Sequence, residues 1–172
     1  IETKGKNGKT EQAIMVTCDL VGLPAELQDT IREMVAPQIS DFDVKKLFMN
    51  VTHTHSAPSV FLKNLHDVEE GKGMTSPEYR AFFLEKASEC IVEAWKSRKQ
   101  GGISWGLGHA VVGHCRRVQY ADGHAQMYGA TDREDFIGLE GPSNPGIEML
   151  FCWDMNQKLT GVVLNVACPS QV

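Results

Sequence analysis

The chain is short of basic residues. It has 17 Lys and Arg against 22 Asp and Glu, a formal net charge of -5 and a pI of about 5.7. No basic cluster interleaves with aromatics, so the footprint of a nucleic-acid-binding surface is missing. No apolar run approaches the ~20 residues of a membrane span. No stretch has the charged-then-apolar layout of a signal peptide. Cys18, Cys90, Cys115, Cys152 and Cys168 are odd in number and lack C-x-x-C spacing, which argues against a disulfide framework and a zinc ribbon. The glycines of Gly106-Leu-Gly-His-Ala-Val-Val-Gly113 have the wrong spacing for a dinucleotide fingerprint, and no helix pattern follows them. There is no internal repeat, low-complexity tract or linker.

What is present suits one domain over residues 1–172 with a real core. Asn7-Gly8 reads as a hairpin turn. Gln12–Leu20 is an apolar strand, Pro24 opens a helix running to about Val35, and Leu47–Thr52 is the next strand. That helix carries Leu27, Ile31, Met34 and Val35 on one face. Strand, helix, strand at this spacing predicts a βαβ unit with two parallel, buried strands. Ala57–Thr75 is a long loop, a candidate rim or lid. A long helix starts at Ser76-Pro77-Glu78, with Ser76 as its cap. Tyr79, Phe82, Phe83, Ala87, Cys90, Ile91, Ala94 and Trp95 form its core stripe. Lys96, Arg98, Lys99 and Gly101-Gly102 close it.

The second half changes style. Ile103–Val112, Arg117–Tyr120, Met149–Asp154 and Leu159–Ala167 read as strands, with Asp154–Lys158 as a hairpin loop and Tyr128–Gly146 as irregular loop. The fold class is α/β: a mixed sheet with the βαβ unit first, then a long helix and a hairpin-rich second half. The opening at Ile1 and the stop five residues after the strand ending at Ala167 lead us to expect a fragment of a larger protein.

The segment Leu47-Phe-Met-Asn-Val-Thr-His-Thr-His-Ser-Ala-Pro58 carries the most chemistry. Side chains two apart on a strand share a face, so His53 and His55 are expected to converge. Neutral imidazole is a good zinc ligand. Asp19 and His53 both fall at carboxyl ends of strands, where α/β proteins bind ligands. The bland alternative is a pair of hydrogen-bonded, inert residues.

Arg116 and Arg117 can grip a carboxylate or phosphate through their planar forks, or stand as a solvated or salt-bridged pair. His109 and His114 are five apart, which matches neither a strand nor a helix face and argues against a shared metal. His66 and His124 read as surface residues. Cys18, Cys90 and Cys152 read as buried thiols. Cys168 follows a strand as His55 does, and is either a thiolate ligand or a small residue before a proline turn.

Taken in order, these features resemble the amino-terminal domain of the neutral, non-lysosomal ceramidase family. The specific part is Thr52-His-Thr-His-Ser-x-Pro58. Around it stand Thr17-x-Asp19-Leu20, the long amphipathic helix, a Gly-x-Gly strand leading to His114–Arg117, and a closing hairpin. The resemblance implies a zinc-dependent amidase acting on the N-acyl bond of ceramide or a related lipid amide. His53 would be a zinc ligand, His55 a substrate or transition-state contact, and Arg117 an arginine near the site.

The chain departs from the family pattern at Ala57 and Ser59-Val60, where the family has glycines. It also departs at or beside Cys168, where the family has its second histidine ligand. The family's Glu and Tyr ligands and its serine nucleophile are expected outside this chain, so the fragment alone is expected to be inactive. The family's members usually act outside the cytoplasm, which implies a secreted or periplasmic protein. A small-molecule or lipid amide substrate, no nucleic acid, no transmembrane segment and room for peripheral membrane contact complete the expectation. The oligomeric state is left open.

Two other readings compete. One is a metal hydrolase of another class, such as a barrel amidohydrolase, which needs regular βα repeats after residue 100. The other is a ligand-binding or structural member whose metal site has decayed, a reading favoured by cysteine at 168.

Overall fold

In the computed structural model, residues 1–61 and 72–170 are described. His66 and most of the expected rim loop lie outside them. The chain divides into two compact units, Ile1–Arg98 with the stretch from Ser170, and Lys99–Pro169.

The first unit opens with the expected hairpin. Strands β1 (Glu2–Lys4) and β2 (Thr10–Gln12) pair antiparallel. Their turn is held by Gly8 N–H to Gly5 O (2.9 Å) and Lys9 N–H to Asn7 Oδ1 (3.0 Å). Strand β3 (Ile14–Cys18), helix α1 (Ala25–Val35) and strand β4 (Leu47–Val51) form the βαβ unit. The two strands run parallel, from Ile14 opposite Leu47 to Cys18 opposite Val51. Helix α2 spans Ser76–Lys96.

Leu27, Ile31 and Val35 recur at the helical period and are fully buried. Ile31 and Val35 meet Ile14 of β3, Leu47 and Met49 of β4, and Ile91, Val92 and Trp95 of α2 in one core. Each such side chain contributes about 1.5–3 kcal/mol of burial. Trp95 is fixed further by Phe42, with ring centroids 4.7 Å apart, and by donation from Nε1 to Asp41 Oδ1 at 2.9 Å.

Four local expectations need correction. First, β3 and β4 are buried on one face only: Met15 and Phe48 are 47% and 59% exposed. Alternate side chains point to opposite faces, and both helices pack on the same one. Second, the buried stripe of α2 includes Ser88 and Val92, while Phe82, Cys90 and Ala94 are exposed. Cys90 is therefore not a core thiol. Third, α2 is capped by Thr75. Its backbone N–H and its hydroxyl both donate to Glu78 at 2.8 Å. Fourth, Gly101 and Gly102 do not close α2 but open the next strand.

The second unit is built from antiparallel strands. β5 (Gly101–His109), β9 (Gly146–Asp154) and β10 (Leu159–Val166) form a sheet of order β10-β9-β5. The Asp154–Lys158 loop is the expected tight turn, with Asp154 Oδ1 accepting from the N–H groups of Asn156 and Lys158. β6 (Arg117–Tyr120) pairs with both β7 (Ala125–Met127) and β8 (Phe136–Leu139). β8 lies in the stretch read as irregular loop, and the sequence reading missed β7 too. Buried Tyr120 anchors this small sheet by donating to Ala130 O at 3.0 Å. No helix occurs among the described residues of this unit. The α/β class, the βαβ opening and the hairpin-rich second half all stand.

Candidate functional site

The paired strands of the first unit end together, and their exits form the site. Thr52 extends the ladder by one bond, from its N–H to Cys18 O (3.1 Å), and its hydroxyl donates to Asp19 Oδ1 (3.1 Å). Thr52 O accepts from Ser170 N–H at 2.9 Å. Beneath the exits lies a second apolar cluster of Leu20, Leu27 and Val60, with Cys18, Val51, Ala57 and Tyr79 against it. Burial first, and the neighbouring Asp19 carboxylate second, push the Cys18 thiol up. Cys18 is thus a neutral packing group, not a thiolate nucleophile.

His53 and His55 come together, but not by the expected route. The strand ends at Val51, and His53 adopts φ +59°, outside the extended region. The two-residue strand period therefore does not apply to the pair. The loop itself brings the rings together, edge to face, with centroids 5.2 Å apart. Both histidines are exposed.

His53 Nδ1 lies 2.7 Å from Val21 O. A carbonyl can only accept, so Nδ1 carries the proton. In the neutral ring the lone pair is then on Nε2, the nitrogen left to bind a cation or take a proton. A backbone carbonyl behind a metal-binding histidine is a common supporting contact. Sequence reasoning found the histidines and Asp19. It missed Val21, because a backbone carbonyl leaves no mark in residue type.

The other candidates belong to the second unit. Arg117 donates from Nε and Nη2 to the carboxylate of Glu140, the second bond at 3.2 Å. The pair holds Glu140 below its usual range and occupies one edge of the guanidinium fork. Arg116 donates to Tyr128 Oη at 2.6 Å. His109, His114 and His124 are exposed. His124 stacks on Tyr120, with centroids 4.6 Å apart, and pairs with Asp122.

Cys168 is exposed, its sulfur 3.6 Å from Pro169 O. Gly113 lies directly against this turn. A Cβ there would stand 2.8 Å from Ala167 O and 3.3 Å from Cys168 Cβ. The missing side chain lets the backbone at Gly113 approach Cys168, a proximity not anticipated from sequence.

Zinc sites built by proteins take three or four donors. Among the described residues, no group of three or more His, Cys, Asp or Glu is arranged to hold a metal ion. The two histidines stand side by side, and by themselves they are fewer than the donors such a site needs. In comparisons with family models, curated proteins and solved structures, nothing matches this chain. No helix among the described residues is long and apolar enough to cross a membrane.

Proposed function

We propose that this chain contributes the histidine pair of a zinc-dependent amide hydrolase resembling the neutral ceramidases, with an N-acyl lipid or related small amide as substrate. The observation that carries the reading is His53 itself. Its Nδ1–H is committed to Val21 O, which leaves Nε2 as the donor at the carboxyl end of a parallel βαβ unit. The Thr52-His-Thr-His-Ser-x-Pro58 motif supplies the family likeness.

Bound zinc would polarise an amide carbonyl and lower the pKa of the attacking oxygen. His53 would hold the metal through Nε2. His55, with its ring beside that of His53, would contact the substrate oxygen. Cys168 as second ligand and Arg117 as a residue near the site rest on the resemblance alone. So does action outside the cytoplasm. Arg117 would serve through the nitrogen not bonded to Glu140.

A second reading has its own support. Cysteine at 168, where the family has a histidine ligand, suits a ligand-binding member that has lost catalysis. A barrel amidohydrolase is disfavoured, because the described residues after 100 form antiparallel strands instead of βα repeats.

The test is elemental analysis of purified protein after zinc loading, beside His53→Ala. Hydrolysis of a panel of N-acyl amides by the full-length protein, which would supply the family's remaining ligands and nucleophile, is followed by release of free amine. Stoichiometric zinc that is lost in the variant, with amide turnover, supports the hydrolase. Zinc without turnover on any amide favours the binding reading. No zinc uptake by the unmodified chain rejects the metal site.

A further inference from the structure

Four hydrogen bonds converge on two consecutive residues. Thr52 is held through its N–H by Cys18 O, through its hydroxyl by Asp19 Oδ1 and through its carbonyl by Ser170 N–H. The next residue, His53, turns to φ +59° and sends Nδ1–H to Val21 O. A non-glycine residue in the left-handed region persists where its surroundings over-determine it. The carboxylate of Asp19 reaches across from the β3 exit to grip the β4 exit.

We propose that Asp19 and Thr52 are positioning residues that set the backbone turn, ring orientation and tautomer of His53. The inference rests on the reading of His53 as the metal-binding residue and names what aims it. With Thr52 clamped, the chain leaves β4 at the one angle that puts the imidazole against Val21 O. Without the clamp, the ring is free to leave the carbonyl. Nδ1 and Nε2 then compete for the proton, and the ligand lone pair is no longer confined to Nε2.

The test uses the 172-residue chain with nitrogen-labelled histidine. Imidazole nitrogen shifts report the tautomer directly, at about two pH units above the ordinary histidine pKa of ~6.5. The His53 resonances are assigned by their absence in His53→Ala. In the unmodified chain we expect a single form protonated at Nδ1. Thr52→Val keeps the shape and the backbone bonds but removes the hydroxyl. It should give a tautomer mixture and weaken zinc binding by about tenfold, the usual scale for an outer contact. Thr52→Ser should restore both readings.

Asp19 is exposed, so Asp19→Ala repeats the test without disturbing the core. A single Nδ1-protonated form surviving in both Thr52→Val and Asp19→Ala overturns the proposal. Tautomer loss in these variants, in a chain that takes up no zinc, supports the positioning role and removes the metal reading. Zinc bound with unchanged affinity and tautomer in Thr52→Val and Asp19→Ala, but lost in His53→Ala, does the reverse.

Discussion

Replacing His53 by glycine should leave the protein more stable than replacing it by alanine. At an ordinary position the order is opposite, because glycine loses more backbone freedom on folding, at a cost of about 0.5–1 kcal/mol relative to alanine. His53 sits at φ +59°, where an L side chain costs about 1–2 kcal/mol. Alanine retains that strain and glycine removes it. Both variants lose the bond from Nδ1–H to Val21 O, so the bond cancels in the comparison.

The balance favours His53→Gly over His53→Ala by about 0.5–1 kcal/mol. For a unit of this size that is a Tm difference of about 2–8 °C. Both helices belong to the first unit, so far-UV circular dichroism during urea or thermal unfolding reports it. Both variants should also lose zinc, which separates strain from chemistry. His53→Ala equal to or more stable than His53→Gly would refute the left-handed conformation, and with it the account of how the imidazole is aimed.

Three further outcomes are expected. Leu27→Ala empties a fully buried position between the helix and the site floor and should cost about 2–5 kcal/mol; Glu33→Ala, on the same helix but exposed, should change the urea midpoint little. Gly129→Ala would drive a methyl into the Tyr120 hydroxyl and to 3.0 Å from Val118 Cβ, costing about 1–3 kcal/mol. Adding Tyr120→Phe should recover part of that loss, a non-additivity that a double-mutant cycle of unfolding energies measures. Glu78 is held below its ordinary pKa of 4.5 by the Thr75 backbone N–H and then by the Thr75 hydroxyl. A depressed folded pKa gives stability that is present above about pH 4.5 and fades as pH falls through the folded value. Hydrogen exchange should therefore quicken at the start of α2 in acid, and Glu78→Gln should abolish that pH dependence.

Elements held by neighbours in sequence were legible before the fold. The Asn7-Gly8 turn, the Asp154–Lys158 turn and α1 from Pro24 to Val35 each depend on spacing within a few residues, and the order strand, helix, strand carries the βαβ unit. β7 and β8 were not legible. Ala125–Met127 lacks the branched residues that mark a strand, and Phe136–Leu139 carries a central glycine beside acidic turn residues. Both exist because β6 offers them an edge on each side. The rotation of the α2 stripe and the exposure of Cys90 and Phe48 have a similar cause. Periodicity tells which residues share a face, but the packed neighbours decide which face is covered.

The candidate site divides the same way. Sequence alone put two histidines and an aspartate at the carboxyl ends of parallel core strands, since their spacing along the chain from the apolar runs is a covalent fact. Tertiary structure decided how they are used. The left-handed turn of His53, the Asp19 grip on Thr52 and the Val21 carbonyl behind the imidazole join groups 32 or 33 residues apart. Glu140 on Arg117 spans 23 residues. Such contacts form only once the βαβ unit and the small sheet around β6 have brought distant backbone together. They turn residue types that suit many chemistries into one oriented nitrogen lone pair.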